Sequence, residues 1–569
     1  MILDGLSLRI CTDELKKILP GAKVVRINMP AREELVLQLY TKAGDNVKLN
    51  IIASADSSSV FLGDMKKPNP KTPSAFCMLL RKHLSNAHVK RIANRGTERT
   101  FSIVFSGKDE MLKETEFSLV CEIMGKYSNI ILINSENRVM DAAKRVSVDV
   151  SSLRQILPGS TYTEPPQEQY SILDISDASL DDILGKASGN WSGFLCRTFQ
   201  GISKATALEL IQRAGIDPDD EDATDKKQQK RLHAALKEFF ENAVAEPMPS
   251  VQFNGDNYPV LVTPVPFETY PEDLRKTFPS MNEAIFFAAH ERYEYFALRQ
   301  KKDVITKQLK KIRTKLSRKI KTLSESIEDS KKAEEINDYA NLITANIYRL
   351  EKGMSGFEAE NYETGEKIKI PLDVTLSPAQ NAQKLYKKAA KMKTTRTVYE
   401  KRLSEAIDES DFIDSSIMFA EKAESVDELA EIEGILSKEK IIISRKNKKL
   451  PEISEPLRFT TPSGYEVYVG RNDKQNDRLT MGIAKKDDIW FHAQKMPGAH
   501  VLLVTGGKNI NDIDDESIEF AARLAAKYSS AKMGGKIPID YTYRSNIKKP
   551  PASRPGKVIY DKYWTLYID

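Results

Sequence analysis

Flat rings crowd into one short stretch near the carboxyl end of the chain. Four of them lie between positions 490 and 500: Trp490, Phe491, His492 and His500. Just upstream, an alternating strand pattern at 464–469 runs into a polar turn that contains Arg471 and Asn472. Rings can stack on unpaired bases while basic side chains hold phosphate, so the pattern predicts RNA contacts here. Packing of the same rings in a core, with both histidines satisfied by backbone carbonyls, is the alternative.

A second candidate RNA-binding segment is a basic run at 299–321, where eleven Lys and Arg residues are opposed by Asp303 alone. Like charges four residues apart destabilise a helix slightly, whereas phosphate contact rewards them through counterion release. The run therefore favours RNA contact over a merely solvated face. Its central cations are the candidate contacts: Lys310, Lys311, Arg313, Lys315 and Arg318.

Two long helices must position this run. Apolar residues recur at intervals of three and four from Ile305 to Ile327, which is typical of a helix burying one narrow seam. A second such helix is predicted over Pro378–Glu439, with Val398 among its apolar positions. Between them, 353–376 predicts a small tip with a turn at 362–366 flanked by short strands. The pattern indicates an antiparallel coiled coil, whose arm of some 60 residues would reach roughly 90 Å.

The amino-terminal region predicts an α+β domain. Half-buried or buried strands are expected at 35–40, 47–52, 101–105 and 130–133. A helix is expected over Ser74–Ser85, with Phe76, Leu79, Leu80 and His83 on one stripe. The Ser/Thr/Pro-rich stretch Pro158–Pro166 is interpreted as a linker.

Short helices are predicted from Leu180 to about Ala245. Around Gly201 the sequence resembles a helix-hairpin-helix, in which backbone N–H groups at a helix start bind a phosphate. Ser203 stands where the motif usually has its second glycine, so the match is partial. A plain helix corner packed by Leu208 and Ile211 is the alternative.

Composition excludes several classes of protein. The 569 residues, 40% of them hydrophobic, suffice for three to five domains, and the net charge is only +5. Four scattered cysteines fit neither a zinc module nor a disulfide framework, and no signal peptide or apolar run of eighteen residues occurs. We therefore expect a cytoplasmic location. No phosphate-binding loop, zinc-protease motif, nucleophile elbow or dinucleotide fingerprint is present, so we expect no catalytic residues, cofactor or metal.

Three segments of the amino-terminal region and the block 457–569 resemble the NFACT family. The segments are the opening Asp4-Gly5, the helix at 72–82, and the loop 122–132 that leads into a strand. The resemblance covers nearly the whole chain. It implies a multidomain α+β protein with a glycosylase-like NFACT amino-terminal domain (1–170), a helix-hairpin-helix domain (171–250), a coiled coil with a middle tip (251–450) and a carboxy-terminal RNA-binding domain (451–569). Ile2 stands where the related glycosylases carry their nucleophilic proline, so glycosylase chemistry is not expected.

Members of the family act in ribosome-associated quality control. The resemblance implies binding to a large ribosomal subunit that carries peptidyl-tRNA, with the ring and arm residues above contacting ribosomal RNA. It also implies recruitment of tRNA, of the alanine type, for template-free tailing of the stalled chain, with the ribosome forming the peptide bonds. The family's tRNA-contacting Asp-Arg pair falls on Glu98-Arg99, for which an exposed ion pair is the alternative reading. The implied tRNA contacts are Asp4, Glu98, Arg99, Glu122, Ile123, Met124 and Lys126.

The family's historical name suggests a protein of a different class, a cell-surface adhesin that binds fibronectin. The lack of a signal peptide, and of a cell-wall anchor in the closing residues 563–569, counts against that alternative.

Overall fold

The computed structural model describes residues 3–108, 111, 113–149, 151, 154–166, 168–217, 223–360, 365, 367–442, 454–531 and 535–569. The chain divides into two compact units, residues 1–295 and 296–569. Both combine helices with antiparallel sheets, which confirms the predicted multidomain α+β class. Most of the predicted turn at 362–366 lies outside the described residues.

A nine-stranded antiparallel sheet forms the centre of the first unit. Its strands are β1 Lys23–Ala31, β2 Glu34–Tyr40, β3 Asn46–Ile52, β4 Ser59–Leu62, β5 His88–Asn94, β6 Thr100–Lys108, β7 Glu114–Glu122, β8 Asn129–Ile133 and β9 Val139–Ala142. They are ordered β4-β3-β2-β1-β5-β6-β7-β8-β9. The four strands predicted from the sequence are all present, and every residue of β8 is buried, as its unbroken apolar run indicates.

Two helices, α1 Gly5–Ile18 and α2 Ala75–Leu84, pack against this sheet. The predicted helix over Ser74–Ser85 is confirmed as α2. It begins where the Ser74 hydroxyl accepts a hydrogen bond from the Cys77 N–H at 3.2 Å. Three residues of the predicted stripe are buried: Phe76, Leu80 and His83. Leu79 is partly buried.

The stretch 158–166 is attached to the sheet. The Val139 N–H donates to the Ser160 carbonyl at 2.8 Å, Thr161 pairs with Arg138, and the Tyr162 ring is buried. The interpretation of this stretch as a linker was therefore wrong, because a buried aromatic ring fastens it despite its polar composition.

Four helices follow: α3 Asp177–Gly185, α4 Trp191–Thr198, α5 Lys204–Arg213 and α6 Lys226–Ala245. A turn at Gly201, with φ of +77°, joins α4 to α5, and the Ser203 hydroxyl caps α5. Ile211 is buried as predicted, but Leu208 is 37% exposed and does not pack the corner. The unit also contains a three-stranded sheet of β10 Ser250–Phe253, β11 Pro259–Thr263 and β12 Arg275–Thr277.

An arm of two long antiparallel helices begins with α7 Met281–Ser330 and returns along α9 Pro378–Lys422. The 50 residues of α7 span about 75 Å at the usual rise, less than predicted. The antiparallel pairing is seen in two ion pairs, Lys310–Glu421 and Arg313–Asp414, both 2.7 Å. The predicted seam is buried at four positions: Ile305, Leu309, Leu316 and Leu323.

The tip of the arm is a hairpin of β13 Gly356–Glu360 and β14 Lys367–Pro371, which confirms the predicted short strands. A further helix, α8 Ala333–Ala345, lies between α7 and the hairpin and was not predicted. Leu342 and Ile343 of α8 pack with Ala359 and Ile370 of the hairpin in a small core.

The predicted single helix Pro378–Glu439 is wrong in one respect. It ends at Lys422, and a separate helix, α10 Val426–Lys438, follows. The Ser425 hydroxyl accepts a hydrogen bond from the Glu428 N–H at 3.2 Å, so an N-cap starts the new helix here. Val398, predicted to lie in the seam, is 42% exposed. Alanines are buried on α9 instead, at Ala389 and Ala406.

The second unit ends in a six-stranded antiparallel sheet, ordered from edge to edge β15 Leu457–Thr460, β16 Glu466–Val469, β18 Val501–Leu503, β17 Ile489–Ala493, β19 Ile537–Tyr543 and β22 Trp564–Ile568. A short ladder of β20 Ile547–Lys548 and β21 Ile559–Tyr560 lies outside it. The helix α12 Asp515–Lys527 packs on one face of the sheet. The predicted polar turn is largely helical, as α11 Asp473–Asp477.

Among the described helices, none has the length and apolar character needed to cross a membrane.

Candidate nucleic-acid interface

Asp4 holds two helices together. One carboxylate oxygen accepts a hydrogen bond from the Ser7 N–H at 2.8 Å and caps α1, and the other accepts from the Thr206 hydroxyl of α5 at 2.8 Å. The side chain is buried. Burial raises the pKa of the Asp4 carboxyl, against hydrogen bonds that lower it. Asp4 therefore organises the region of the predicted tRNA contacts from beneath its surface.

Gly5 is the point of closest approach between three segments. A Cβ added there would lie 1.7 Å from the Thr97 carbonyl oxygen and 2.8 Å from the Gly201 Cα. The Thr97 hydroxyl donates to the Gln200 carbonyl at 3.2 Å across the same contact. The opening Asp4-Gly5 pair thus has a structural role. The Asp4 carboxylate caps α1, and the next residue must lack a side chain because backbones meet there.

Glu98 and Arg99 do not form the exposed ion pair considered from the sequence. Glu98 is only 9% exposed, and its carboxylate lies 3.9 Å from the Arg95 guanidinium. Arg99 is exposed, and its positive charge partly opposes the burial that raises the pKa of Asp4. The pair therefore separates into a buried acid and a solvent-facing cation.

Glu122 is engaged inside the protein. Both its oxygens bind the Arg154 guanidinium, with Oε2 3.0 Å from Nη1, and Oε1 also accepts from the Tyr162 hydroxyl at 3.0 Å. Glu122 is 1% exposed, and burial raises the pKa of Tyr162 beside it. The neighbouring Ile123 is fully buried, and its N–H donates to the Arg99 carbonyl at 2.7 Å. This link fixes the backbone that carries Arg99.

Beyond Ile123 the chain turns outward. Met124 is half-buried, Gly125 takes a positive φ of +59°, and Lys126 is exposed. The Lys126 ammonium lies 4.9 Å from the centre of the Tyr127 ring, which is 69% exposed. Tyr127 was not among the contacts predicted from the sequence, although a ring next to a lysine in a loop is a signal for base stacking.

Arg99 and Lys126 come from neighbouring strand ends. Thr100 at the start of β6 pairs with Glu122 at the end of β7, so the segments on either side of this pair leave the sheet at the same edge. Of the seven predicted tRNA contacts, two are exposed here, Arg99 and Lys126. The described geometry offers a cationic edge with an aromatic ring beside it.

The basic run on α7 divides into two groups. Lys310 and Arg313 pair with carboxylates of α9, as described above. Lys311, Lys315 and Arg318 are exposed, and among the described residues none of them has a carboxylate within 4.0 Å. The second group is therefore the part of the run that is available to phosphate.

Of the predicted ring cluster, Trp490, Phe491 and His500 are buried in the carboxy-terminal module, and His492 is half-buried. Trp490 is fully buried and stacks on His492 at 5.5 Å with an interplanar angle of 8°. His500 is also buried, and its ring meets Trp490 edge to face at 5.1 Å. Burial lowers the pKa of His492 to about 4 and that of His500 well below its usual value, so both are neutral near pH 7. Neither imidazole therefore carries a positive charge near pH 7 that could bind phosphate.

Arg471 and Asn472 join α11 to α10. The Arg471 guanidinium lies 2.5 Å from a Glu428 oxygen, and the Asn472 amide donates to Glu431 at 3.0 Å. Asn472 also caps α11 by accepting from the Gln475 N–H at 2.9 Å. Apart from the Arg471 Nε, which has no hydrogen-bond partner among the described residues, the guanidinium and the amide are engaged within the protein.

In the described part of the chain, no cluster of three or more His, Cys, Asp or Glu residues is placed to hold a metal ion.

Comparison with known proteins identifies two family models. One, described as the NFACT N-terminal and middle domains, matches residues 4–454, and the other, the NFACT protein RNA binding domain, matches residues 456–561. A Bacillus subtilis protein named Rqc2 homolog RqcH is 31% identical over 579 residues, covering 100% of this chain and 98% of its own. Ribosome quality control complex subunit 2 of Saccharomyces cerevisiae is 27% identical over 148 residues, 26% of this chain and 13% of its own. The solved N-terminal part of a fibronectin/fibrinogen-binding protein from Streptococcus suis has 30% identity and a TM-score of 0.43, covering 51% of this chain and 99% of that chain.

Proposed function

The chain belongs to the NFACT family, and from that premise we propose that it is a cytoplasmic, ribosome-associated quality-control factor. It binds large ribosomal subunits obstructed by peptidyl-tRNA and recruits tRNA for template-free tailing of the stalled chain. The single observation that carries the proposal is the full-length match to a protein named Rqc2 homolog RqcH together with the RNA-binding family model at the carboxyl end.

In this proposal the protein is not an enzyme. It supplies position and tRNA choice, and the ribosome forms the peptide bonds. Holding two reactants in place removes much of the entropic barrier to their reaction, so a positioning factor accelerates tailing without a catalytic group of its own. Alanine-type tRNA, and hence a polyalanine tail that marks the chain for degradation, is part of the same proposal.

Ribosomal RNA is the proposed partner of the arm. Lys311, Lys315 and Arg318 are exposed, with no carboxylate within 4.0 Å in the described part of the chain, and such cations gain free energy by releasing counterions from RNA. Lys310 and Arg313 would contribute less, because each already lies against a carboxylate of α9.

The tRNA contact is proposed for the cationic edge of the first unit. Arg99 and Lys126 are exposed, and Tyr127 offers a ring for stacking. Asp4, Glu98, Glu122 and Ile123 would act through them, because these four are buried and fix the segments that carry the exposed pair.

Two single variants test the tRNA contact. Arg99→Ala and Lys126→Ala each remove a charge-assisted contact, so tRNA affinity should fall about ten- to hundredfold. Binding to large subunits should remain, since the proposed ribosomal contacts lie in other segments. Arg91→Ala, which removes an exposed arginine of β5 in the same unit, is the matched control. Unchanged tRNA recovery and tail length in both variants would exclude this edge as the tRNA site.

A further inference from the structure

A cavity of about 560 Å³ lies between α9 and the carboxy-terminal module. Residues 408–415 of α9 form one wall, and residues of β17 with the turn 554–558 form the other. Ligand sites in proteins commonly enclose about 300–1,000 Å³. The cavity is thus large enough for one nucleotide-sized group.

The face of the sheet that borders the cavity carries different kinds of side chain from the opposite face. Ile489 and Phe491 belong to the apolar core on the α12 side, whereas Trp490 and His492 alternate to the opposite side and line the cavity. The Tyr560 ring lies 5.0 Å from Trp490 on that side. Around Trp490 and His492, aromatic rings and polar groups therefore make up much of the cavity lining.

Two buried donors next to the cavity have no hydrogen-bond partner among the described residues: the indole Nε1 of Trp490 and Nη1 of Arg554. The carboxylates nearest to Arg554, those of Glu439 and Glu409, lie at 3.6 Å and 3.8 Å, beyond hydrogen-bond length. Buried donors are normally satisfied, so two in one cavity wall point to an acceptor supplied from outside the chain.

Four aspartates also line the cavity, and three of them are engaged: Asp408 with Lys557, Asp414 with Arg313, and Asp473 with the Ser415 hydroxyl at 2.6 Å. Asp411 has no ion pair or hydrogen bond among the described residues. Because the acids repel phosphate, a ligand should enter with an uncharged, donor-bearing edge first.

We propose that the cavity receives one unpaired guanine of RNA, with its N1–H and N2–H donating to the Asp411 carboxylate and its O6 and N7 accepting from Trp490 and Arg554. Guanine is the base with two adjacent donors for one carboxylate and two acceptors on the remaining edge. Its phosphates would stay outside, near Lys495 and Lys557. Since the two donors are covered, the turn 554–558 must yield slightly; the Ser553 hydroxyl, directly before that turn, also has no partner among the described residues. This proposal rests on the RNA-binding function above.

The test uses the whole 569-residue chain and five-nucleotide single-stranded RNAs that differ only at the central position. Affinity for the guanosine RNA should exceed that for the adenosine, cytidine and uridine RNAs at least tenfold. Inosine, which lacks the N2 amine, should bind at an intermediate level. Asp411→Asn should lower the affinity for the guanosine RNA about ten- to hundredfold. Trp490→Phe, which keeps an aromatic ring but removes the indole N–H donor, should also lower this affinity. Glu405→Gln, an exposed acid of the same helix that does not line the cavity, is the control.

Large-subunit binding, measured in parallel, separates the two proposals. Normal subunit binding with no preference for guanosine, or with a preference that Asp411→Asn does not change, would overturn the guanine site and leave the proposed function standing. Tighter binding of a lysine-containing pentapeptide than of the guanosine RNA would overturn it in favour of a protein ligand. If the unmodified protein binds neither large subunits nor RNA, the proposed function itself is wrong.

Discussion

Glu122→Ala tests whether the acid of the 122–124 segment contacts tRNA or holds the protein together. The substitution removes one partner of a buried ion pair and leaves the Arg154 guanidinium, itself only 13% exposed, without its carboxylate. Breaking such a pair costs about 3–5 kcal/mol. For a unit of this size, that loss should lower the thermal midpoint by about 5–15 °C. The Tyr162 hydroxyl loses its acceptor in the same variant, which adds to the cost.

Thermal unfolding followed by circular dichroism, together with tRNA pull-down, measures both effects on one sample. Glu116→Ala is the control, because that acid pairs with Lys90 and Arg91 at the surface and its loss should leave the midpoint unchanged. Glu122→Gln keeps the volume but not the charge and should fall between parent and alanine variant. A parental midpoint for Glu122→Ala, combined with lost tRNA recovery, would refute the structural role and assign the carboxylate to tRNA.

Three further outcomes follow from the geometry. Gly5→Ala should destabilise the first unit by about 3 kcal/mol or more, measured by urea unfolding, since its methyl overlaps the Thr97 carbonyl; an unchanged midpoint would contradict this close contact. Burial raises the pKa of Asp473 from 3.8 to about 7, so the unfolded chain ionises first and stability falls as pH rises from about 4 to 7. Asp473→Asn should remove that part of the pH dependence, about 3–4 kcal/mol, and parallel pH curves for parent and variant would contradict it. Changing Lys311, Lys315 and Arg318 to glutamine should weaken large-subunit binding and flatten its salt dependence more than changing Lys310 and Arg313, because the first three have no ion pair among the described residues. Equal effects of the two sets would assign the run to a solvated face.

The regular elements were predictable because their signals are local. The seam from Ile305 to Ile327 and the alternating strands of the first unit both appear as predicted. The break before α10 also had a local signal, since Ser425 stands three residues before Glu428 as in a helix N-terminus. It was missed because the apolar spacing continues beyond it.

The direction of polar side chains was not predictable in the same way. Asp4 bonds to Thr206, and Glu122 bonds to Arg154 and Tyr162, contacts that exist only after distant segments fold together. Trp490 illustrates the same limit, because strand alternation assigns it a face of the sheet but not what covers that face. A motif thus identified the region of each candidate site, whereas tertiary contacts decide which of its residues meet solvent.

Sedimentation of cell lysate on a sucrose gradient at low salt, with stalling induced, shows whether the protein associates with obstructed large ribosomal subunits. We expect the protein to migrate with free large ribosomal subunits, these fractions to carry peptidyl-tRNA, and a higher salt concentration to release the protein. A protein that stays at the top of the gradient under these conditions, while the subunits sediment normally, would contradict the proposed function.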